Sequence, residues 1–260
     1  MANFFLDGLS VLVTRPAHQA FEFCKLLENE GARVIRCPTI KVSTTRKEEA
    51  FQDFVKYIND YDMLMFNSPN SVIFGIPLIH LNSTIPKQTL IGAIGPSTQN
   101  EINNFGYKVD IFPRSTFDSE AFLSQIEKIN VKGKKIAILR AQTGRTLLGE
   151  SLISKGAKVI YVEVYERTPI RPDLAGKLYE NLINKIDIIT ITSLESFINL
   201  DCFITDKIRN NFKYSTFITG HKRISNHIKS CGFSSVYTAD DPTNKAMFSA
   251  VLNTYTNLKK

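Results

Sequence analysis

The residues of this chain that can do chemistry sit in six polar turns, each placed directly after a short apolar run. The runs are VLV, MLMF, IGAI, IAIL, IITI and TFIT. Their turns supply Thr14, Arg15, Asn67, Ser68, Ser97, Thr98, Arg140, Thr143, Arg145, Thr192, Ser193, Lys222 and Arg223. Hydroxyls, amides and cations in such places suit the binding of an anion. An open parallel sheet takes ligands outside the carboxyl ends of its strands, and the helices that start there present free N–H groups to negative charge. Each Ser, Thr or Asn has a plainer reading as a helix N-cap, worth about 1 kcal/mol. Recurrence is what favours a ligand site, because a hydroxyl and a base return at strand ends all along the chain.

Other chemistries lack their parts. No P-loop is present, and GAIGPST lacks both the third glycine and the following acidic ribose ligand of a dinucleotide site. There is no GxSxG elbow, and no carboxylate pair stands at a strand end. His18, His80, His221 and His227 show no metal-ligand spacing, and Cys24, Cys37, Cys202 and Cys231 form no CxxC pair. The expectation is a site with no cofactor and no metal, in a chain whose thiols stay reduced.

The elements that position these turns come in two copies. DMLMFNSPNSVIF from Asp62 and DIITITSLESFIN from Asp187 share an acid, an apolar run, a polar turn with a serine and an apolar-spaced segment. Ser68 and Ser193 occupy the same place, and 193 minus 68 is 125. Arg15 and Arg140, Gly31 and Gly156, Gly95 and Gly220, and Ala121 and Ala246 keep that offset. Strands alternating with helices specify a parallel sheet covered on both faces. A period this long exceeds a solenoid repeat and implies two similar α/β domains.

The chain has 260 residues, 43% of them hydrophobic, enough for packed cores. Its net charge of +7 suits an anionic partner. The cations are scattered, with no polybasic run and no RNA-binding aromatic signature, so nucleic acid is not expected. No apolar run approaches the roughly 20 residues of a membrane span, and the first residues, MANFFLDGLSVLVTRP, do not read as a secretion signal.

The segments VLVTRP, FNSPNSV, IGPST, ILRAQTGR followed by VEVYERT, ITSLES and ITGHK follow one another from Val11 to about Leu252. In order, spacing and doubled layout they resemble the uroporphyrinogen III synthase family. The likeness implies two flavodoxin-like parallel-sheet domains, residues 1–37 with 173–260 and residues 44–160, joined by linker strands at 38–43 and 161–172. It also implies a linear tetrapyrrole substrate with eight carboxylates, hydroxymethylbilane. The family closes it to uroporphyrinogen III with inversion of the last pyrrole ring, through an azafulvene and a spiro intermediate, without a cofactor.

The resemblance assigns site residues as well. Tyr165 takes the place of the family's recurrent tyrosine, where a phenol can donate to the departing hydroxyl. Packing within the linker is its plainer reading. Thr98 matches a threonine facing the cleft, and Ser68 and Ser193 match the polar turns of the two domains. Arg15, Asn67, Ser97, Arg140, Arg145, Thr192 and Lys222 complete the expected substrate-binding set. The chain departs from the family at GHKR, where Lys222 and Arg223 stand in place of a second threonine and the helix lacks a hydroxyl cap. A cytoplasmic monomer is expected. The alternative is a cytoplasmic two-domain module that binds or senses a small anion without catalysis.

Overall fold

The structure, a computed structural model, describes residues 5–45, 48–113, 119–126, 129–142, 146–170 and 177–258. The chain begins with β1 (Ser10–Val13), α1 (Ala17–Asn29) and β2 (Arg33–Arg36). It passes through β3 (Ile40–Thr44) into α2 (Glu48–Lys56), β4 (Met63–Phe66), α3 (Pro69–His80), β5 (Leu90–Ala93) and α4 (Pro96–Asn104). Then come α5 (Ser119–Ile126), β6 (Lys135–Ala141), α6 (Leu147–Ser154) and β7 (Lys158–Pro169). The last part holds α7 (Lys177–Ile183), β8 (Ile188–Ile191), α8 (Leu194–Phe203), α9 (Asp206–Phe212), β9 (Thr216–Thr219), α10 (Lys222–Ser230), β10 (Val236–Thr238) and α11 (Asn244–Leu258). Two compact units result: Met1–Lys41 with Thr168–Lys260, and Val42–Arg167.

In the first unit the strand order is β10-β9-β8-β1-β2, all parallel. β1, β8 and β9 are buried at every position, which is why they read as unbroken apolar runs rather than alternating ones. The two-residue pleat divides them between faces. Leu12, Ile189, Ile191 and Phe217 meet α8, α9 and α10 through Phe197, Leu200, Ile208, Phe212, Ile224 and Ile228. Val11, Val13, Ile188 and Ile218 meet α1 and α11 through Ala20, Phe23, Leu27, Met247 and Val251.

The second unit has the order β3-β7-β6-β4-β5, with β5, β4, β6 and β7 parallel and Ile111 bridged to Gly92 beyond β5. On one face Leu64, Phe66, Leu139 and Val164 pack against α2, α3 and α4 through Phe54, Val72, Ile76 and Ile102. On the other, Met63, Met65, Ile136 and Ile138 pack against Phe122 and Ile126 of α5 and Leu148 and Leu152 of α6. β7 reaches further into this sheet than a linker would: Tyr161, Val162, Glu163 and Tyr165 are all in register with β6.

The acids that open the two quoted stretches do matching structural work. Asp62 Oδ2 accepts from Lys135 N at 2.9 Å, and Asp187 Oδ2 accepts from Ser10 N at 2.9 Å. Both the acids and their donors are 125 apart (187 minus 62; 135 minus 10). Each carboxylate fastens the amino end of its strand to a neighbour.

Candidate active site

Which helix follows each strand decides where a ligand fits. In the second unit, α3 leaves β4 over one face of the sheet, while α6 leaves the adjacent β6 over the other. A crevice opens at the carboxyl end of such a strand pair. Its turns hold Asn67 and Ser68 after β4, and Gln142 after β6; Thr143 and Arg145 lie outside the described residues. In the first unit α1 and α8 leave β1 and β8 over opposite faces in the same way. There the turns hold Thr14 and Arg15, and Thr192 and Ser193.

Tyr165 reaches the second unit's crevice through a bulge. The β6–β7 register shifts between Arg140 and Ala141, pairing Arg140 with Glu163 and Ala141 with Tyr165, so Val164 is the extra residue. Regular alternation would send Val164 and Tyr165 to opposite faces; the bulge returns Tyr165 to the face that Val164 packs on. There Tyr165 is 5% exposed, and its ring stacks on Phe74 of α3 at 5.9 Å between centroids. Gly75 lets α3 lie close, since a Cβ there would meet Leu139 Cδ2 at 2.9 Å.

Ser68 is the N-cap of α3. Its Oγ accepts from Ser71 N at 3.2 Å, and Ser71 Oγ in turn accepts from Ser68 N, a capping box followed by Pro69 at the first helical position. Ser68 Oγ also lies 3.1 Å from the Tyr165 hydroxyl oxygen. The structure thus brings Ser68 and Tyr165 together. Beside them Asn67 donates its backbone N–H to Leu139 O, while its buried Oδ1 has no partner among the described residues.

Elsewhere Ser193 serves as a cap, and two of the expected cations, Arg15 and Arg140, are tied down. Ser193 Oγ accepts from Ser196 N at 3.0 Å and lies 2.8 Å from Ser196 Oγ; Thr192 beside it is half-buried. Ser97 and Thr98 fall in the first turn of α4, Ser97 exposed and Thr98 only 3% exposed. Arg15 and Arg140, expected to meet substrate carboxylates, are both buried. Arg15 donates to Asn244 Oδ1 and to Pro242 O and lies over the Phe23 ring. Its burial lowers its pKa to about 10. Arg140 donates from Nε to Ala141 O and stacks over Tyr161 at 4.8 Å. Lys222 is exposed at the start of α10, where His221 makes no side-chain cap bond. Gly95 heads α4 with no side chain to offer. The first N–H groups of α4 and α10 are therefore better placed to receive an anion than those of α3 and α8, whose serines already cap them.

One polar cluster escaped the sequence reading. Thr219 Oγ1 and Ser225 Oγ are 2.6 Å apart, and Ser225 Oγ is 2.6 Å from Thr238 Oγ1, linking the ends of β9, α10 and β10. The available signal was Ser225 itself, a small polar residue beside Ile224 on the apolar stripe of α10.

Among known proteins, this chain is 25% identical over 245 residues to the uroporphyrinogen-III synthase of Escherichia coli, spanning 94% of this chain and all of that one. It is 29% identical over 185 residues to a putative uroporphyrinogen-III synthase of Methanothermobacter thermautotrophicus, covering 70% of this chain and 72% of the relative. Its fold matches a uroporphyrinogen III synthase of Thermus thermophilus (a mutant form) with a TM-score of 0.66 at 14% identity, over 96% of this chain and 100% of the other. That of Helicobacter pylori matches at 0.61 and 15% identity, over 95% and 99%. The profile of the family described as Uroporphyrinogen-III synthase HemD matches residues 22–249, a span that takes in the described turns after β4, β6 and β8, and the chain belongs to that family.

Proposed function

We propose that this chain is a uroporphyrinogen-III synthase, a lyase that closes hydroxymethylbilane to uroporphyrinogen III with inversion of the last ring and release of water. The observation that carries the reading is the family match across residues 22–249. The reaction asks for two things from the protein: help for one departing hydroxyl, and a grip on an octacarboxylate chain in the shape that favours spiro closure. Tyr165 answers the first. Its phenol gives a proton to the leaving oxygen, the C–O bond breaks with its electron pair on oxygen, and water departs to leave a protonated azafulvene beside the phenolate. Attack by the substituted carbon of the last ring forms the spiro intermediate, which fragments and recloses, and the proton shed as the closing ring regains its aromaticity returns to the phenolate.

The helix starts answer the second. Carboxylates dock at the uncapped N–H groups of α4, near Ser97 and Thr98, and of α10, where Lys222 adds charge. Asn67 Oδ1, a buried acceptor, suits a pyrrole N–H. Thr192, Ser193 and Ser68 line the turns of the crevices, and Arg145 belongs to the same proposal by its place after β6. Arg15 and Arg140 are positioned to shape the strand ends rather than to touch substrate. The enzyme works as a cytoplasmic monomer. Among the described residues no helix is long and apolar enough to cross a membrane. The test is to supply hydroxymethylbilane and determine which uroporphyrinogen isomer forms.

A further inference from the structure

We propose that Ser68 is a positioning residue for Tyr165, carrying the charge that develops on the phenol oxygen when its proton is given away. The inference rests on the proposed function, since it needs a reaction in which Tyr165 loses a proton. Its basis is a chain of three groups: Ser71 N–H donates to Ser68 Oγ at 3.2 Å, and Ser68 Oγ lies 3.1 Å from the Tyr165 oxygen.

A serine hydroxyl has one proton and two lone pairs, and a phenol has one proton. In the resting site either hydroxyl can donate to the other. Once Tyr165 passes its proton to the substrate's leaving oxygen, only one arrangement remains. The phenolate can only accept, so the Ser68 proton must point to it, and Ser71 N–H supports the serine from behind. A hydrogen bond to an ionised oxygen is roughly twice as strong as one between neutral groups. The contact therefore strengthens as the C–O bond breaks, which is the condition for an effect on rate rather than on binding.

The surroundings raise the stakes. Tyr165 is 5% exposed and lies among Phe66, Val72, Ala141 and Val164 in an apolar core, with Phe74 against its ring. Water cannot readily replace a donor lost there, and a charge on the oxygen costs more without one. The serine itself is held by the capping box and by Pro69, so its hydroxyl is aimed before any substrate arrives. The site thus uses a helix cap twice, for α3 and for the phenol. This gives Ser68 a role apart from gripping substrate carboxylates.

The experiment is a double-mutant cycle with two readouts on the full chain. Ser68→Ala should lower kcat roughly 5- to 30-fold with KM nearly unchanged, as for one lost hydrogen bond to a developing charge. On a Tyr165→Phe background it should cost no further activity, because Ser68 acts through the phenol. Ser68→Thr, which keeps the hydroxyl, should restore kcat. Thr205→Ala removes a comparable helix cap, that of α9 in the other unit, and should lower the melting temperature without lowering kcat. The second readout needs no activity: in protein carrying 13C-labelled tyrosine, Ser68→Ala should shift the Tyr165 Cζ resonance and Thr205→Ala should leave it nearly in place. A Ser68→Ala loss that multiplies that of Tyr165→Phe, or that appears in KM alone, would overturn the proposal, as would an unmoved Cζ resonance. If the wild-type chain yields no type III product, it is the proposed function that fails, whatever the resonance does.

Discussion

The guanidinium of Arg15 donates to the side chain of Asn244 across 229 residues of sequence, joining the end of β1 to the start of α11. A second bond to Pro242 O and the Phe23 ring beneath it complete the clamp. Arg15→Met should therefore cost stability, about 2–3 kcal/mol for hydrogen bonds to a charged group. The folded fraction should keep a near-normal KM. Chemical unfolding together with steady-state kinetics measures both; a large rise in KM with unchanged stability would place Arg15 on the substrate instead.

Lys222 is the exposed member of the set Arg15, Arg140 and Lys222. Lys222→Met should raise KM roughly two- to five-fold, matching about 0.5–1 kcal/mol for a solvent-exposed charge pair, with no change in melting. Substrate affinity of the wild type should weaken as salt rises, and the variant should show a flatter dependence. Identical salt slopes in the two proteins would leave the binding to backbone N–H groups alone.

Tyr165→Phe keeps the ring that stacks on Phe74 and removes only the hydroxyl. The turnover number should fall roughly 10- to 1000-fold, the range of a single general-acid contact, with KM little changed and melting close to wild type. The product that forms should still be type III, because isomer choice comes from how the chain of rings is held. Full activity with normal melting would leave Tyr165 as packing.

Acid should unfasten the strand starts. Burial alone would raise the Asp187 pKa, but hydrogen bonds from Ser10 N and Oγ and the nearby Lys185 outweigh it and hold the carboxyl below the usual carboxylate range. Asp62 is lowered by Lys134 and by Lys135 N. For a depressed carboxylate the stabilisation is complete above the unfolded-state pKa, near ~4, and is lost as pH falls through the lower folded-state value. Urea unfolding over a pH series should show stability falling below about pH 4. Asp187→Asn should lose about 1–2 kcal/mol at neutral pH and show a shallower acid limb. An unchanged limb would mean that other groups set the acid sensitivity.

The strands were legible because a strand buried on both faces must be apolar throughout, as in MLMF and IITI. The caps were legible too, since Ser68 and Ser193 stand where an apolar run gives way to a helical spacing. The bulge that turns Tyr165 toward α3 left only a faint mark, the adjacent apolar pair Val164 and Tyr165 that breaks the alternation in VEVYERT, and its meaning emerged only in the register with β6. The same holds for Arg15 and Arg140. A basic residue after a strand looks the same whether it faces solvent or is buried beneath a distant segment, and Pro242 and Asn244 are too far along the chain for a local pattern to reveal. The acids at Asp62 and Asp187 were visible as a repeat, but their purpose emerged only with their partners, Lys135 N and Ser10 N.

The most direct measurement is isomer analysis of the product formed from hydroxymethylbilane. Purified protein is given the substrate, the reaction is stopped well before uncatalysed closure is complete, and the uroporphyrinogens are oxidised to porphyrins and separated chromatographically. The account predicts mainly the type III isomer, formed in proportion to protein and without added metal or cofactor. Type I alone, at the rate seen without protein, would contradict it and favour a module that binds the tetrapyrrole without transforming it.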